Sequence, residues 1–177
     1  MILFLLGYMG SGKSTYGKLL SKKIETDFID LDSYIEKNED LRISEIFATK
    51  GELYFRKVEH KYLKDLLNIQ SDVVISLGGG TPCYSNNMEL IAQSDNAISI
   101  FLDTQLDVLT ERLFYQKINR PIIEKINSKD ELKTFIAKHV FERRDFYNEA
   151  KYILKLTNED TDFVVDQLKA IYDKVTS

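Results

Sequence analysis

The stretch ILFLLGYMGSGKST (2–15) constrains this chain more than any other. An unbroken apolar run, Ile2–Leu6, fits a strand buried on both faces. It breaks into Gly7-Tyr8-Met9-Gly10-Ser11-Gly12-Lys13-Ser14, which satisfies the phosphate-loop pattern G-x-x-x-x-G-K-[ST]. Glycines there let backbone N–H groups turn inward around phosphate oxygens, and the following helix points its positive end at the same anion. Lys13 can reach the β- and γ-phosphates, and the Ser14 hydroxyl can ligate Mg²⁺. An ordinary glycine turn is the alternative; a strand before and a helix-compatible segment after, with Leu19, Leu20 and Ile24 on one expected face, favour the phosphate loop.

The rest of the chain alternates between the two periodicities. Strands are predicted at 2–6, 27–30, 73–77, 97–102 and 152–156. Helices are predicted at 13–24, 33–38, 43–49, 51–69, 86–93, 105–115, 129–150 and 162–175. In the helix over 51–69, Leu53, Val58, Leu63, Leu66 and Leu67 are expected on one side. Residues 115–125 show no period. Near-continuous apolar strands alternating with helices imply an α/β fold, a five-stranded parallel sheet covered on both faces. Ligands bind such sheets beyond the carboxyl ends of the strands. The loop of glycines after strand one, Asp30 and Asp32 after strand two, and Gly78-Gly79-Gly80 after strand three should therefore share one crevice.

Composition narrows the function. With 177 residues a single domain over 1–177 is expected. The net charge of −4 supplies no basic field for nucleic acid, so partners should be small molecules. Cys83 is the only cysteine and His60 and His139 the only histidines. This leaves no internal disulfide, no thiolate zinc site and little for a histidine metal site. The apolar run at the N-terminus is too short for a signal or a membrane span. A cytoplasmic monomer with no membrane contact is the expectation, with Cys83 in a packing role.

Several residues carry candidate chemistry. One carboxylate of Asp30 and Asp32 can hold Mg²⁺ through water while the other orients or deprotonates a hydroxyl; the competing reading makes Asp32 the N-cap of the next helix. The third strand has no acid, so Asp30 is the candidate metal partner; Ser76, its one polar side chain, can contact a metal-bound water or simply bond to backbone. Gly78, Gly79 and Gly80 leave the strand end free of side chains, open to a ligand. Arg56 can fork a carboxylate with Glu59, three residues on, fixing its orientation. Arg143 and Arg144 are about 100° apart on a helix, so at most one faces the site, and periodicity alone does not choose. Lys117 and Arg120 fit a flap that closes over phosphates.

At these residues the chain resembles the shikimate kinase family, along nearly its whole length. The marks are GYMGSGKST (7–15), FIDLD (28–32), IFATKGELYFRKVE (46–59), ISLGGGTPC (75–83), RPII (120–123) and RRDFYNEA (143–150). The resemblance implies a three-layer α/β/α P-loop fold with an acceptor-binding helical segment at about 31–60 and a mobile lid at about 112–125. It implies ATP-dependent phosphorylation of the 3-hydroxyl of shikimate, on the route to chorismate and aromatic amino acids, with Mg²⁺ as cofactor. It makes Gly10, Ser11, Gly12, Lys13, Ser14, Thr15 and Arg120 the ATP-binding set, with Ser14 and, through water, Asp30 on the metal. Lys13, Asp32 and Arg120 become the catalytic set. Asp32, Arg56, Arg143, Gly78, Gly79, Gly80, Phe47 and Phe55 become the shikimate site. Arg112 and residues 156–158 are placed beside adenine. Rival readings are a gluconate-type kinase, a nucleotide-binding regulator without chemistry, and a nucleic-acid-dependent ATPase. The FR-x-x-E run, Asp32 and the acidic charge balance respectively speak against them.

Overall fold

A computed structural model describes residues 1–116 and 121–176. Five strands are described: β1 (Ile2–Leu6), β2 (Asp27–Asp30), β3 (Val73–Ser76), β4 (Ala97–Thr104) and β5 (Tyr152–Leu156). They form one sheet in the order β2-β3-β1-β4-β5, and every pairing is parallel. All five residues of β1 are buried, with their side chains dealt alternately to two cores. Ile2, Phe4 and Leu6 join one cluster with Leu63, Leu109 and Ile136; Leu3 and Leu5 join the other with Leu20, Val165 and Leu168. That division is why the run lacks alternation: both faces are covered, so neither needs polar residues.

The helices are α1 (Lys13–Lys23), α2 (Leu31–Glu39), α3 (Ile43–Leu67), α4 (Asn87–Gln93), α5 (Leu106–Tyr115), α6 (Pro121–Glu124), α7 (Lys129–Asn148) and α8 (Thr161–Thr176). The expected break inside α3 is present: Gly51, at φ 80° and ψ 171°, interrupts the helix and divides it as 43–49 and 51–69 predicted. An L side chain rarely adopts that φ, so glycine sets the kink. Glu39, at the end of α2, accepts hydrogen bonds from the Tyr54 hydroxyl (2.7 Å) and the Tyr62 hydroxyl (2.9 Å), tying α2 to the second half of α3.

Three details differ from the sequence reading. Leu19 and Leu53 are exposed rather than on core faces. The buried face of α1 is Lys13, Tyr16, Gly17, Leu20 and Ser21, a clean i, i+3, i+4, i+7, i+8 stripe that excludes Leu19. Leu53 is out of step with the stripe that α3 buries after Gly51 (Phe55, Val58, Glu59, Tyr62, Leu63 and Leu66), so it faces solvent. The strand expected at 97–102 runs on to Thr104, because Asp103 and Thr104 pair with Lys155 and Leu156. Within the aperiodic segment, Pro121–Glu124 forms one helical turn, and Ile123 inserts fully into the core.

Candidate active site

The sheet order puts the reversal of winding at β1 and β3, and the carboxyl ends of β1, β2 and β3 meet there. The loop after β1 holds Gly10 and Gly12 at φ 79° and 98°, turning the chain into α1. A Cβ on Gly12 would lie 2.3 Å from the Tyr16 ring, so only glycine fits. Lys13 is buried, its Nζ donating to the carbonyls of Gly7 (2.8 Å) and Tyr8 (3.0 Å). The ammonium therefore lies across the loop, held by backbone dipoles. Ser11 is fully buried, and its Oγ has no hydrogen-bond partner among the described residues.

Register brings the next groups in. Asp30 stands opposite Ser76, and Leu5 opposite the same serine. The Ser14 hydroxyl donates to Asp30 Oδ2 at 2.6 Å and lies 3.3 Å from Ser76 Oγ. The other oxygen of Asp30 accepts from Ser33 N–H at 3.3 Å, so Asp30, not Asp32, is the N-cap of α2. Asp32 lies in the first helical turn, free of capping duty. Its carboxyl is pushed up to about 6, first by burial, then by the charges of Asp30 and Glu59, with Lys13 opposing.

The glycines after β3 prove to be places of close approach. A Cβ on Gly78 would lie 2.9 Å from Asp32 Oδ1, and one on Gly80 2.9–3.2 Å from the Arg56 guanidinium. On Gly79 it would touch the backbone of Met9 at 3.4 Å. The three positions thus let a carboxylate, an arginine and the phosphate loop close on one strand end.

Arg56 is held on several sides. Nη1 donates to Glu59 Oε2 at 2.9 Å, and Glu59 is buried. The Tyr84 ring lies 3.8 Å and the Phe55 ring 5.1 Å from its Cζ. Glu59 in turn accepts from the Thr81 hydroxyl at 2.6 Å. Of the two adjacent arginines on α7, Arg143 is the one at the site: its Nη1 reaches the Gly79 carbonyl at 3.5 Å, and its Cζ is 5.7 Å from the Tyr8 ring centroid. Arg144 points elsewhere and pairs with Asp103 at 2.8 Å. Tyr147 also donates to the Gly79 carbonyl, at 2.6 Å, and burial holds its phenol well above the usual range. Phe47 and Phe55 stack at 4.7 Å beside Arg56, Phe55 buried and Phe47 partly exposed.

A cleft of about 470 Å³ joins these parts. It is lined by Gly10, Gly12, Lys13, Ser14 and Thr15, by Asp30 and Asp32, by Ser76, Gly78 and Gly79, and by Arg112, Gln116 and Thr161. That volume suits a small-molecule site. Arg56, Gly80, Arg143, Phe47 and Phe55 are not among its lining; Arg143 adjoins the cleft through the Gly79 carbonyl, and Arg56 lies against Gly80, the next residue.

Residues 9–173 match the model of a known family, shikimate kinase. The chain belongs to the shikimate kinase family. A shikimate kinase of Flavobacterium johnsoniae is 45% identical over 166 residues, which is 94% of this chain and 95% of that protein. The crystal structure of shikimate kinase from Bacteroides thetaiotaomicron superposes with a TM-score of 0.89 at 37% identity, covering 98% of each chain. A shikimate kinase from Acinetobacter baumannii, solved in complex with shikimate, gives 0.84 at 25% identity, covering 98% of this chain and 93% of that one.

Arg120 and Lys117 lie outside the described residues. Arg112 does line the cleft, donating to the Gly10 carbonyl at 3.2 Å and the Tyr16 hydroxyl at 3.1 Å. Leu156 and Thr157 line a second cavity, of about 300 Å³. Gln116, Thr161 and Tyr84 were not foreseen; only Tyr84, an aromatic just past a glycine loop, carried a readable signal. Burial pushes the Cys83 thiol up to about 11, so at neutral pH it is no nucleophile. Among the described residues no helix is long and apolar enough to cross a membrane.

Proposed function

We propose that this chain transfers the γ-phosphoryl group of ATP to the 3-hydroxyl of shikimate, forming shikimate 3-phosphate and ADP on the route to chorismate. The observation that carries the reading is the single strand end where the phosphate loop, Asp32, Arg56 and Arg143 converge on Gly78, Gly79 and Gly80. Shikimate is a ring bearing one carboxylate and several hydroxyls. Two arginines flanking Gly79 and Gly80 suit the carboxylate, and Asp32 suits a hydroxyl. The relative from Acinetobacter baumannii, solved with shikimate, supports the same acceptor.

In this reading the loop N–H groups and Lys13 hold the phosphates, with Gly10, Ser11, Gly12, Ser14 and Thr15 shaping the cradle. Asp32 accepts the proton of the attacking hydroxyl as the new O–P bond forms and the bond to ADP breaks. A carboxyl that titrates near 6 is ionised at neutral pH yet basic enough to take that proton. Arg56 and Arg143 fix the ring so that one hydroxyl faces Asp32. Phe47 and Phe55 pack on its apolar face, and Gly78, Gly79 and Gly80 form the wall. Arg120, on the expected lid at about 112–125, would add charge to the transferring phosphoryl, and Arg112 and residues 156–158 would border adenine.

The residues present also fit Mg²⁺. Ser14 Oγ, Asp30 Oδ2 and Ser76 Oγ form a cluster of hard oxygens, and Mg²⁺ takes one or two such protein groups with water and substrate phosphates. Ser14, and Asp30 through water, would hold it, where it supplies positive charge against the developing anion. The chain is proposed to act as a monomer in the cytoplasm on these small molecules, and the acidic balance supports the absence of a nucleic-acid partner. The test is ADP release with Mg·ATP and, in turn, shikimate, quinate, gluconate or no acceptor. Turnover confined to shikimate is expected. Turnover with gluconate alone, or equal release with no acceptor, would overturn the acceptor assignment.

A further inference from the structure

The run GE-x-x-FR-x-x-E contributes two glutamates, of which Glu59 is the buried partner that holds Arg56. Glu52 is the other. The Arg56 guanidinium offers two edges. Its Nη1 donates to buried Glu59 at 2.9 Å, a fixed contact. Its Nε and Nη2 face Glu52 at 3.4 and 3.3 Å, and both reach the same oxygen, Oε1. That oxygen also accepts from the Tyr84 hydroxyl at 3.0 Å. The Glu52 side chain is 54% exposed, against 1% for Glu59.

A carboxylate oxygen therefore already occupies the edge of Arg56 that suits a fork. It is held poorly. One oxygen shared by two donors at 3.3–3.4 Å is well outside the roughly 2.7–2.9 Å of a two-oxygen arginine fork. Because Glu52 is half in water, letting go costs it little. Glu52, Glu59 and an incoming carboxylate would place three anions around one guanidinium, so the exposed one must leave.

We propose that Glu52 is a tethered carboxylate that covers the Nε–Nη2 edge of Arg56 between turnovers and yields only to an acceptor bringing its own carboxylate together with further contacts. Glu52 is thus a built-in competitor: its tether gives it a local concentration that any carboxylate must overcome to reach this edge of Arg56. An acceptor that also meets Asp32 and Arg143 out-competes it. This rests on the reading of Arg56 as the group that binds the acceptor carboxylate.

The experiment compares wild type with Glu52→Gln at fixed ionic strength, measuring KM for shikimate and the Ki of acetate as a competitor of shikimate. The amide keeps the size and an acceptor oxygen and loses the charge. Both KM and Ki are expected to fall about 2- to 5-fold, the range for an exposed ion pair. An unchanged or higher KM, or an acetate Ki that stays put, would overturn the displacement and leave Glu52 as a support for Arg56. Arg56→Ala runs alongside. If it leaves the shikimate KM untouched, the carboxylate reading itself fails; if it raises KM while Glu52→Gln does nothing, only the displacement fails.

Discussion

Asp32→Asn should stabilise the protein while abolishing turnover. The carboxyl sits beside Asp30 and Glu59, partly withdrawn from water, and its pKa is raised from 3.8 to about 6. A raised acid pKa means the folded chain holds that proton more tightly than the unfolded one. The cost of ionising Asp32 in the fold therefore appears as pH rises from about 4 and is complete above about 6. About two units at 1.36 kcal/mol each is about 3 kcal/mol. Removing an acid from the first turn of α2 returns about 0.5 kcal/mol, and partial exposure to solvent reduces the gain further. An advantage of about 1–2 kcal/mol at pH 7.5 remains, which for a chain of this size raises Tm by roughly 2–8 °C. The assay is thermal and urea unfolding of both proteins at pH 7.5 and 4.5, with turnover measured on the same samples. The advantage should be present at the higher pH and largely gone at the lower, and wild-type kcat/KM should decline as pH falls through about 6. A variant less stable than wild type at pH 7.5, or equally advantaged at both pH values, would refute the electrostatic account. Retained turnover would remove Asp32 from proton transfer.

Arg56→Ala should do two separable things. It removes the carboxylate grip, raising the shikimate KM by about 100-fold, and strands buried Glu59, costing about 3 kcal/mol; adding Glu59→Gln should restore the stability but not the KM, as denaturation and steady-state kinetics would show. Gly80→Ala drives a methyl group to within 2.9 Å of the Arg56 guanidinium, and Gly78→Ala one to within 2.9 Å of Asp32 Oδ1. The first should act mainly on the shikimate KM and the second mainly on kcat, each by roughly 10-fold if the displaced group shifts, while the KM for ATP changes little; the reverse pattern would misplace the two side chains.

The parts of the site carried by backbone were legible in the sequence. An apolar run followed by the phosphate-loop glycines fixed β1, its loop and α1, and acids or glycines at the ends of β2 and β3 pointed to one crevice because parallel strands share a carboxyl edge. The break at Gly51 also showed in the sequence, where the helix expected over 43–49 gives way to the one expected over 51–69. What was hidden depends on how a helix is rolled against the sheet. Arg143 faces Gly79 because α7 docks through Leu132, Ile136 and Tyr147, and Arg143 lies seven residues after Ile136 and four before Tyr147. Arg144, one position on, turns to Asp103. Leu19 and Leu53 were misplaced for the same reason, as a single residue of offset moves a side chain about 100°. The N-cap exchange is subtler: both aspartates suit a cap, and the pairing of Asp30 with Ser76 across β2 and β3 decided it. Long-range neighbours such as Gln116 and Thr161 at the cleft left no mark in a linear reading.

The most direct measurement is the position of the phosphate in the product. Shikimate and Mg·ATP are incubated with the protein, and the product is examined by a phosphorus–proton correlation spectrum. A cross-peak from the new phosphorus to the ring proton on carbon 3 is the predicted result. A cross-peak to carbon 4 or 5, or inorganic phosphate alone, would contradict the placement of the acceptor between Asp32, Arg56 and Arg143.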